Sequence, residues 1–203
     1  MSATTKIIVF AHQKGGVGKS TISMNTAHSL SFHKRTAITE VDVQGSIQHM
    51  KDSFERLETI PYGKNLRSQD FEYIFIDTPP YLSNTLLETF AQADLVLIPT
   101  KVGFLDYMAC KSTVELVKIA QKRNPALKAA IFFNMIKPAT KLSKSALVGF
   151  GGYGLPILDS KIQDRVDLAE SVIRPQGIYS MKNETAQKEM NGFVTEVLQF
   201  LYK

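Results

Sequence analysis

Short apolar runs alternate along the chain with longer segments whose apolar residues recur at helical spacing. The runs predict buried strands, and the longer segments predict helices that cover a sheet. The predicted strands are 7–10, 36–41, 71–76, 95–99, 129–135 and 155–162, and the predicted helices are 22–30, 86–93, 107–122, 165–172 and 184–202. This alternation predicts an α/β fold with a doubly wound, mostly parallel sheet flanked by helices.

Four segments predict less regular structure. Residues 48–68 are polar and weakly periodic, and a proline and a glycine interrupt any long helix there. Residues 100–106 predict a loop, and the basic segment 137–144 predicts a chain that is mobile at first and then helical. The glycines of 149–154 predict a turn after that helix rather than a second phosphate site, because no GKS-type ending follows them.

The stretch KGGVGKST at residues 14–21 lies between the first predicted strand and the first predicted helix. Glycines suit a phosphate-binding loop, because backbone N–H groups can wrap a polyphosphate only where no Cβ blocks their approach. The anion is then held at the positive N-terminus of the helix. Lys19 is predicted to reach the β- and γ-phosphates and the Ser20 hydroxyl to bind Mg²⁺, with Thr21 beside it. The predicted nucleotide-binding residues of this loop are Gly15, Gly16, Val17, Gly18, Lys19, Ser20 and Thr21.

The spacing of this loop differs from the common pattern G-x-x-x-x-G-K-[ST]. That pattern would place its first glycine at Gln13, and in this chain a second lysine, Lys14, opens the loop instead. A glycine-rich turn with no ligand is the simpler alternative. The Lys19-Ser20 ending, in register between a strand and a helix, favours nucleotide binding over that alternative.

Carboxylates follow two of the predicted strands. Asp77 comes directly after 71–76 and before Thr78-Pro79-Pro80. This arrangement resembles a Walker B strand, whose terminal carboxylate holds the hydration shell of Mg²⁺ while prolines end the strand pairing. Asp42 follows the strand 36–41, and ligands of parallel α/β sheets collect at such carboxyl ends. An aspartate after an apolar strand is common by chance, but the phosphate loop upstream favours a metal-binding role for Asp77.

The composition suits one α/β domain spanning 1–203. The chain has 203 residues, of which 44% are hydrophobic and 21% charged, enough for a single core. Its net charge of +5 favours a polyanionic partner such as nucleic acid, although proteins without one often carry a similar charge. The single cysteine, Cys110, allows no internal disulfide and fits a reducing cytoplasm. Because no secretion signal and no apolar window of about 20 residues is evident, we expect neither secretion nor membrane spanning.

Together these segments resemble the ParA/MinD group of deviant Walker A ATPases over nearly the whole chain. The matching segments are KGGVGKST at Lys14, VDVQGS at Val41, YIFIDTPP at Tyr73, ADLVLIPT at Ala93, FFNM at Phe132 and ILDSKIQDRVDLAES at Ile157. Within the group, the short length and the segment IPTKVGFLDYMA are similar to the small ParF-like plasmid partition ATPases. The resemblance implies ATP and Mg²⁺ as cofactors and a slow, partner-stimulated hydrolysis of ATP to ADP and phosphate.

The resemblance also implies a homodimer that forms on ATP. In such a dimer Lys14 reaches into the site of the partner and touches phosphate, as an arginine finger does. The predicted catalytic residues are therefore Lys14, Lys19 and Asp42. The implied partners are a centromere-binding ParB-like adaptor protein and nonspecific DNA, and the implied location is the cytoplasm, in association with the nucleoid. Membrane binding is not expected.

Two further roles rest on the resemblance. The family pattern D-x-D-P-Q-G is carried by residues 40–45, and Asp42 matches the aspartate that orients the attacking water. Glu40 replaces the first aspartate of the pattern and Val43 replaces the proline, which leaves the hydrolysis rate open. Asn134 lies where relatives place an amide that reads the adenine edge. The alternative for Asn134 is a buried asparagine that satisfies the backbone of a loop.

Basic residues are frequent in the last third of the chain. Contacts with phosphate groups alone can supply nonspecific affinity for DNA, and no motif that reads bases is visible. A solvated face is the alternative for such residues. The basic residues in question are Lys137, Lys141, Lys144, Lys161, Arg165, Arg174 and Lys182.

Other functions of the same scaffold remain open. A membrane- or cell-pole-positioning ATPase would need a basic amphipathic tail, and packing on the sheet better explains the apolar stripe of the last predicted helix. A DNA-transfer accessory that does not hydrolyse ATP is compatible with the changes at Glu40 and Val43. An iron–sulfur reductase would need two cysteines per subunit, and the chain has one. The stripe consists of Phe193, Val194, Val197, Leu198 and Leu201.

Overall fold

The computed structural model describes residues 4–41, 47, 50, 54–63, 65–81, 84–137 and 144–203. Within these ranges the chain forms seven strands and six α-helices. The strands are β1 (Lys6–Phe10), β2 (Thr36–Glu40), β3 (Glu58–Thr59), β4 (Tyr73–Asp77), β5 (Leu95–Thr100), β6 (Lys128–Ile136) and β7 (Ile157–Gln163). The helices are α1 (Lys19–Ser31), α2 (Asn84–Gln92), α3 (Phe104–Arg123), α4 (Lys144–Gly151), α5 (Val166–Ser171) and α6 (Glu184–Tyr202).

The strands of the described chain form one sheet in the order β3-β2-β4-β1-β5-β6-β7, and each neighbouring pair runs parallel. β1 lies near the centre between β4 and β5, so the loop that follows it is flanked by strand ends on both sides. The predicted doubly wound parallel sheet is confirmed. Sequence reasoning missed β3, because a strand of two residues is too short to produce a periodic signal.

Alternate side chains of β1 enter two separate cores. Ile7 and Val9 pack in the core on the side of α2, α3 and α4, whereas Ile8 and Phe10 pack in the core on the side of α1, α5 and α6. Both faces of the sheet are therefore covered. This is why the central strands appear in the sequence as continuous apolar runs without a polar alternation.

The loop predicted at 100–106 is wrong in part. β5 extends to Thr100, and α3 already begins at Phe104 after an extended Gly103. The exposed apolar residues Phe104 and Leu105 occupy the first turn of α3, where they do not follow the periodicity of the buried helix face. A prediction based on the periodicity of buried residues therefore places the first residue of the helix too late.

The turn predicted at 149–154 is also wrong in part, because α4 extends to Gly151. Phe150 is buried and contacts the ring of Phe133 on β6 at 5.2 Å between centroids. This tertiary contact stabilises helix in a segment whose glycines locally favour a turn. Of the basic segment predicted at 137–144, residues 138–143 lie outside the described residues.

The apolar stripe of α6 packs on the sheet. Phe193 and Val197 are fully buried, and the ring of Phe193 lies 4.6 Å from that of Phe132 on β6. This burial removes the support for a membrane-binding tail. Among the helices of the described chain, none combines the length and the apolar character that crossing a bilayer requires.

Candidate functional site

The glycine loop connects β1 to α1 at the carboxyl ends of the central strands. Gly16 and Gly18 have φ values of 68° and 83°, in the left-handed region that favours glycine. Gly18 is the residue before α1, and no side chain caps the first turn of this helix within the described chain. The backbone N–H groups of that turn can therefore donate to an anion at the positive end of the helix.

Lys19 lies over this loop. Its side chain is buried, and its Nζ donates to the Lys14 carbonyl oxygen at 3.4 Å. Burial lowers the pKa of Lys19, and the nearby Asp77 carboxylate opposes that shift. The arrangement keeps a cation with little hydration beside the backbone groups that would hold phosphate. The contact of Lys19 with the β- and γ-phosphates stays a prediction.

Ser20 and Asp77 meet across the loop. The Ser20 hydroxyl donates to Asp77 Oδ2 at 2.5 Å, and the other oxygen, Oδ1, is buried without a hydrogen-bond partner among the described residues. Burial raises the pKa of Asp77 to about 7; the Ser20 hydrogen bond and the Lys19 charge lower it, and the Glu40 carboxylate raises it. A cation bound beside this buried carboxylate would strongly stabilise its charged form.

These two side chains fit Mg²⁺. A hydroxyl and a carboxylate are hard oxygen ligands, and the buried Oδ1 atom would find in a cation the partner that the protein does not provide. Among the described residues, no group of three histidine, cysteine or acidic side chains could hold a metal by itself. Mg²⁺ would therefore depend on nucleotide phosphates and water for its remaining ligands, which is its usual mode of binding.

Of the segment between β2 and β3, residues 41, 47, 50 and 54–57 are described. Glu40 and Asp77 are register partners at the ends of β2 and β4, and both side chains are buried. Glu40 Oε2 accepts a hydrogen bond from the Ile47 N–H at 3.2 Å. The predicted water-orienting residue Asp42 and the neighbouring Val43 lie outside the described residues. The role of Asp42 stays a prediction.

Lys14 is paired within its own chain. Its Nζ lies 2.6 Å from Asp106 Oδ1, in the first turn of α3. The Lys14 side chain keeps 39% of its exposure, whereas that of Asp106 keeps 9%. Sequence reasoning placed Lys14 at this site but missed Asp106, because the segment 100–106 was predicted as a loop.

A second missed residue, His12, fixes the backbone of Lys14. The Lys14 N–H donates to His12 Nδ1 at 2.9 Å, and the imidazole is buried. Burial lowers the pKa of His12 to about 4; the charges of Lys19 and Lys14 contribute to this shift, and Asp106 opposes it. The ring is therefore neutral at pH 7, which suits its role as an acceptor.

Asn134 lies against the other side of the loop. Its Nδ2 donates to the Val17 carbonyl oxygen at 2.8 Å, and the residue is 2% exposed. This contact bears out the alternative of a buried amide that satisfies loop backbone. Asn134 also lines a cavity of about 60 Å³ beside the loop, so a contact with a base stays a prediction. Other residues that line this cavity include Gly18, Thr21, Met135, Gln163 and Leu168.

Comparison with known proteins identifies the family. The family model of the CobQ/CobB/MinD/ParA nucleotide binding domain matches residues 8–178. The chain belongs to this family. The predicted membership of the ParA/MinD group is confirmed, and the P-loop NTPase fold of the family implies nucleotide hydrolysis.

Named relatives of this ParA-family chain include proteins that distribute different cargoes. The chain is 26% identical over 206 residues to Maintenance of carboxysome distribution protein A of Halothiobacillus neapolitanus, covering 94% of this chain and 95% of the relative. It is 27% identical over 203 residues to Chromosome partitioning protein ParA of Myxococcus xanthus, covering 73% and 71%. The solved structure of apo McdA from Cyanothece superposes with a TM-score of 0.79 over 96% of this chain and 99% of that chain. At 18% identity, this structure shows the shared fold alone.

The predicted basic surface is only partly available in this ParA-family chain. Arg165 donates through Nε to Glu189 at 3.1 Å and through Nη2 to Gln163 at 2.7 Å, so its guanidinium is held internally. Lys141 lies outside the described residues, as does the side chain of Lys144. The side chains of the remaining basic residues are exposed: Lys137, Lys161, Arg174 and Lys182.

Proposed function

We propose that this chain is a ParA-type partition ATPase that acts as a single domain. ATP closes two copies into a dimer, the dimer binds DNA nonspecifically, and hydrolysis stimulated by a ParB-like adaptor protein releases it, so that plasmid or chromosomal DNA is segregated. The observation that carries this proposal is the arrangement of Lys19, Ser20 and Asp77 around the glycine loop, with a buried carboxylate oxygen that lacks a partner among the described residues.

Each of these residues has a task in the cycle. The N–H groups of the loop and of the first turn of α1 hold the phosphates, and Lys19 adds a charge that burial keeps poorly hydrated. Ser20 and Asp77 hold Mg²⁺, which when bound neutralises charge on the phosphates. Asp42 orients the attacking water. Asn134 holds the loop backbone at Val17 and borders the space for the base.

The homodimer is supported by the surface next to Lys14. Phe104 and Leu105, which directly precede Asp106 in the first turn of α3, are 75% and 71% exposed. Apolar side chains of this size are exposed at the surface of a monomer most often where another molecule binds. A second copy docked on this face would bring its own Lys14 close to the phosphate site, which is the role that the family resemblance implies for this residue.

Hydrolysis of ATP by the purified chain in Mg²⁺, with and without DNA, tests the proposal. Lys19→Ala should lower turnover by at least about 100-fold, because it removes a charge aimed at the transferred phosphoryl group. The matched control is Lys188→Ala, since Lys188 is exposed on α6 and pairs with Glu184. The proposal fails if Lys19→Ala turns over ATP at the rate of the unchanged chain, or if both variants lose activity equally.

The salt dependence of binding tests the nonspecific contact with DNA. The exposed side chains of Lys137, Lys161, Arg174 and Lys182, with the net charge of +5, supply cations for phosphate contacts. With such contacts, the logarithm of the binding constant for DNA falls linearly with the logarithm of the salt concentration, whatever the DNA sequence. Binding that persists unchanged at high salt, or that selects one sequence, would contradict this mode.

The cargo has a second candidate. The relative from Halothiobacillus neapolitanus is named for carboxysome distribution, and the match covers 94% of this chain. A positioning ATPase whose adaptor sits on a protein assembly would use the same nucleotide site and the same DNA surface. Capture experiments with the ATP-bound chain distinguish the two functions. A partition ATPase binds an adaptor protein that is attached to DNA, whereas a positioning ATPase binds an adaptor protein that is attached to a protein assembly.

A further inference from the structure

His12 lies just after β1, two residues before Lys14, where the phosphate loop begins. The residue is 1% exposed, and its Nδ1 atom accepts a hydrogen bond from the Lys14 N–H at 2.9 Å. A side-chain acceptor that bonds the N–H two residues further along the chain is the geometry of an Asx turn, which asparagine and aspartate usually form. In this loop a histidine provides that acceptor.

The backbone around Lys14 is held by several contacts. The Gln13 N–H donates to Thr113 Oγ1 on α3 at 3.3 Å, and the Lys14 carbonyl oxygen accepts from Lys19 Nζ at 3.4 Å. With the His12 contact, both peptide groups that flank the Lys14 Cα atom are engaged. Because each peptide group is planar, fixing the two planes also fixes the direction in which the Lys14 side chain leaves the backbone.

The His12 contact differs from the Lys19 contact in one respect. In the proposed cycle Lys19 turns to phosphate, so its long contact with the Lys14 carbonyl oxygen is given up when ATP binds. The His12 ring takes no part in holding the nucleotide. Its contact therefore remains to hold the Lys14 backbone in the ATP-bound state.

A histidine at this position is unfavourable for the fold itself. Because Nδ1 accepts from Lys14, the proton of the neutral ring lies on Nε2, and this atom is buried without a hydrogen-bond partner in the part of the chain that the structure describes. Burial lowers the pKa of His12 to about 4, so the ring stays neutral at pH 7. A buried donor without a partner lowers stability, and such groups are found mainly where function requires them.

We infer that His12 is a positioning residue that holds the Lys14 backbone so that the Lys14 ammonium group is directed at the nucleotide of the second copy in the dimer. The inference rests on the proposed function, in which Lys14 acts across the dimer. His12 affects the reaction through Lys14 alone. A small displacement of a catalytic group lowers the rate of the chemical step, and it leaves the binding of nucleotide to the same chain unchanged.

His12→Leu tests this inference, because it removes the acceptor and keeps a buried side chain of similar size. We expect kcat for ATP hydrolysis to fall about 10-fold to 100-fold while KM stays close to that of the unchanged chain, since the lost interaction acts only in the transition state. His12→Asn should restore most of the rate, because the amide oxygen of asparagine takes the place of Nδ1. His12→Gln should not, because its amide lies one carbon further out.

His28→Leu is the matched control. His28 is also buried, its Nε2 atom also has no partner among the described residues, and it packs beside Phe54 rather than the loop. This variant should leave kcat and KM unchanged. In a Lys14→Ala background, His12→Leu should lower the remaining rate no further, since the residue through which it acts is absent.

Four results would overturn the inference. They are an equal fall in kcat for His28→Leu, a rise in KM in place of the fall in kcat for His12→Leu, equal rates for His12→Asn and His12→Gln, and a further loss of rate when His12→Leu is added to Lys14→Ala.

A measurement on the unchanged chain covers the case in which His12→Leu does not fold. The ¹⁵N and ¹H signals of the His12 ring, assigned by their loss in His12→Asn, should show the tautomer with its proton on Nε2 at pH 7. The tautomer should stay the same when a nonhydrolysable ATP analogue is added. A proton on Nδ1, with or without the analogue, contradicts the inference, because that atom could not accept from the Lys14 N–H.

Failure of the inference can be distinguished from failure of the proposed function. If the unchanged chain hydrolyses ATP and His12→Leu does so at the same rate, the inference is wrong and the proposed function stands. If the unchanged chain does not hydrolyse ATP, the proposed function fails and the inference fails with it.

Discussion

Gly18 is the residue at which the phosphate loop meets the distant strand β6. Its φ is 83°, and a Cβ built on it would lie 2.3 Å from Asn134 Nδ2. Gly18→Ala therefore adds a steric clash to backbone strain. We expect the free energy of unfolding to fall by more than the roughly 1 to 2 kcal/mol of a left-handed alanine alone, and nucleotide binding to be lost.

Gly16→Ala is the matched control for Gly18→Ala. Gly16 has a φ of 68°, and a Cβ there would meet nothing within 4 Å. Gly16→Ala should lower the free energy of unfolding by about 1 to 2 kcal/mol, through backbone strain alone. Urea titrations of both variants measure the difference. Equal losses at the two positions would show that the contact of Asn134 with the loop is not tight.

His28 gives the fold a pH dependence of its own. It is 2% exposed on α1, and burial lowers its pKa to about 4 from 6.5. Below pH 6.5 the unfolded chain binds this proton and the folded chain does not, so stability falls as the pH falls toward 4. At pH 5 this costs about 2 kcal/mol.

His28→Leu removes this titrating group and places an apolar side chain beside Phe54, whose ring lies 4.8 Å from that of His28. The difference in unfolding free energy between pH 7 and pH 5 should shrink by about 2 kcal/mol. His12, with its pKa also near 4, keeps its contribution in both proteins. A pH difference that stays as large as before would contradict the assignment to His28.

At the scale of elements, helix α6 closes the open edge of the sheet. β7 is an edge strand, and the N–H groups of Asp159 and Ser160 donate to the two carboxylate oxygens of Glu196 at 2.6 and 2.8 Å. Further along, the Gln163 N–H donates to Glu189 at 3.1 Å. These carboxylates occupy backbone donors that an edge strand would otherwise offer to another chain.

Glu196→Gln should weaken this closure, because an amide offers one acceptor oxygen where the carboxylate offers two. We expect a loss of about 1 to 2 kcal/mol in the free energy of unfolding and faster hydrogen exchange at Asp159 or Ser160. Glu184→Gln, on the exposed first turn of the same helix, is the control for the loss of charge. Unchanged exchange at both amides would mean that Glu196 does not protect the strand.

The elements that the sequence predicted best are the ones whose signal is local. The six predicted strands and the closing helix at 184–202 all appear, because buried parallel strands and a long amphipathic helix produce strong patterns. The extension of α4 to Gly151 depends on a contact between distant residues, whereas the two-residue β3 is too short and the first turn of α3 too exposed to give a periodic signal. Neither a distant contact nor an exposed turn leaves a pattern of buried residues in a local window of sequence.

At the scale of the whole molecule, the residues of the site that were predicted have a local sequence signal, and those that were missed do not. Motifs placed Lys14, Lys19 and Ser20 in the loop and helix start that follow β1 and Asp77 at the end of β4, and the parallel sheet brings these two places together. Asp106 lies 92 positions from Lys14 in the chain, in a segment whose family resemblance assigned it no role. Only the packing of α3 against the loop shows that it is part of the site.

The first turns of α3 give the fold one exposed apolar surface next to that site. Phe104, Leu105 and Met108 are 75%, 71% and 48% exposed, and they lie beside the buried Asp106 in the helix. If a second copy covers these side chains in the ATP dimer, the double variant Phe104→Ser/Leu105→Ser should weaken dimerisation at least about tenfold. The reason is that each large apolar side chain contributes about 1.5 to 3 kcal/mol when fully buried. Thermal unfolding of the monomer should stay the same, because these side chains contribute little to its core.

Ile173→Ser is the control for this surface, because Ile173 is 63% exposed and follows α5 on the other face of the sheet. It should leave the ATP dependence of dimerisation unchanged. A contact between two identical copies is self-complementary, so each removed side chain is lost from both halves of the interface. The loss of dimer affinity is therefore large and easy to distinguish from the result for the control. Sedimentation of both variants across a range of ATP concentrations gives the comparison, and equal affinities would place the dimer contact elsewhere on the molecule.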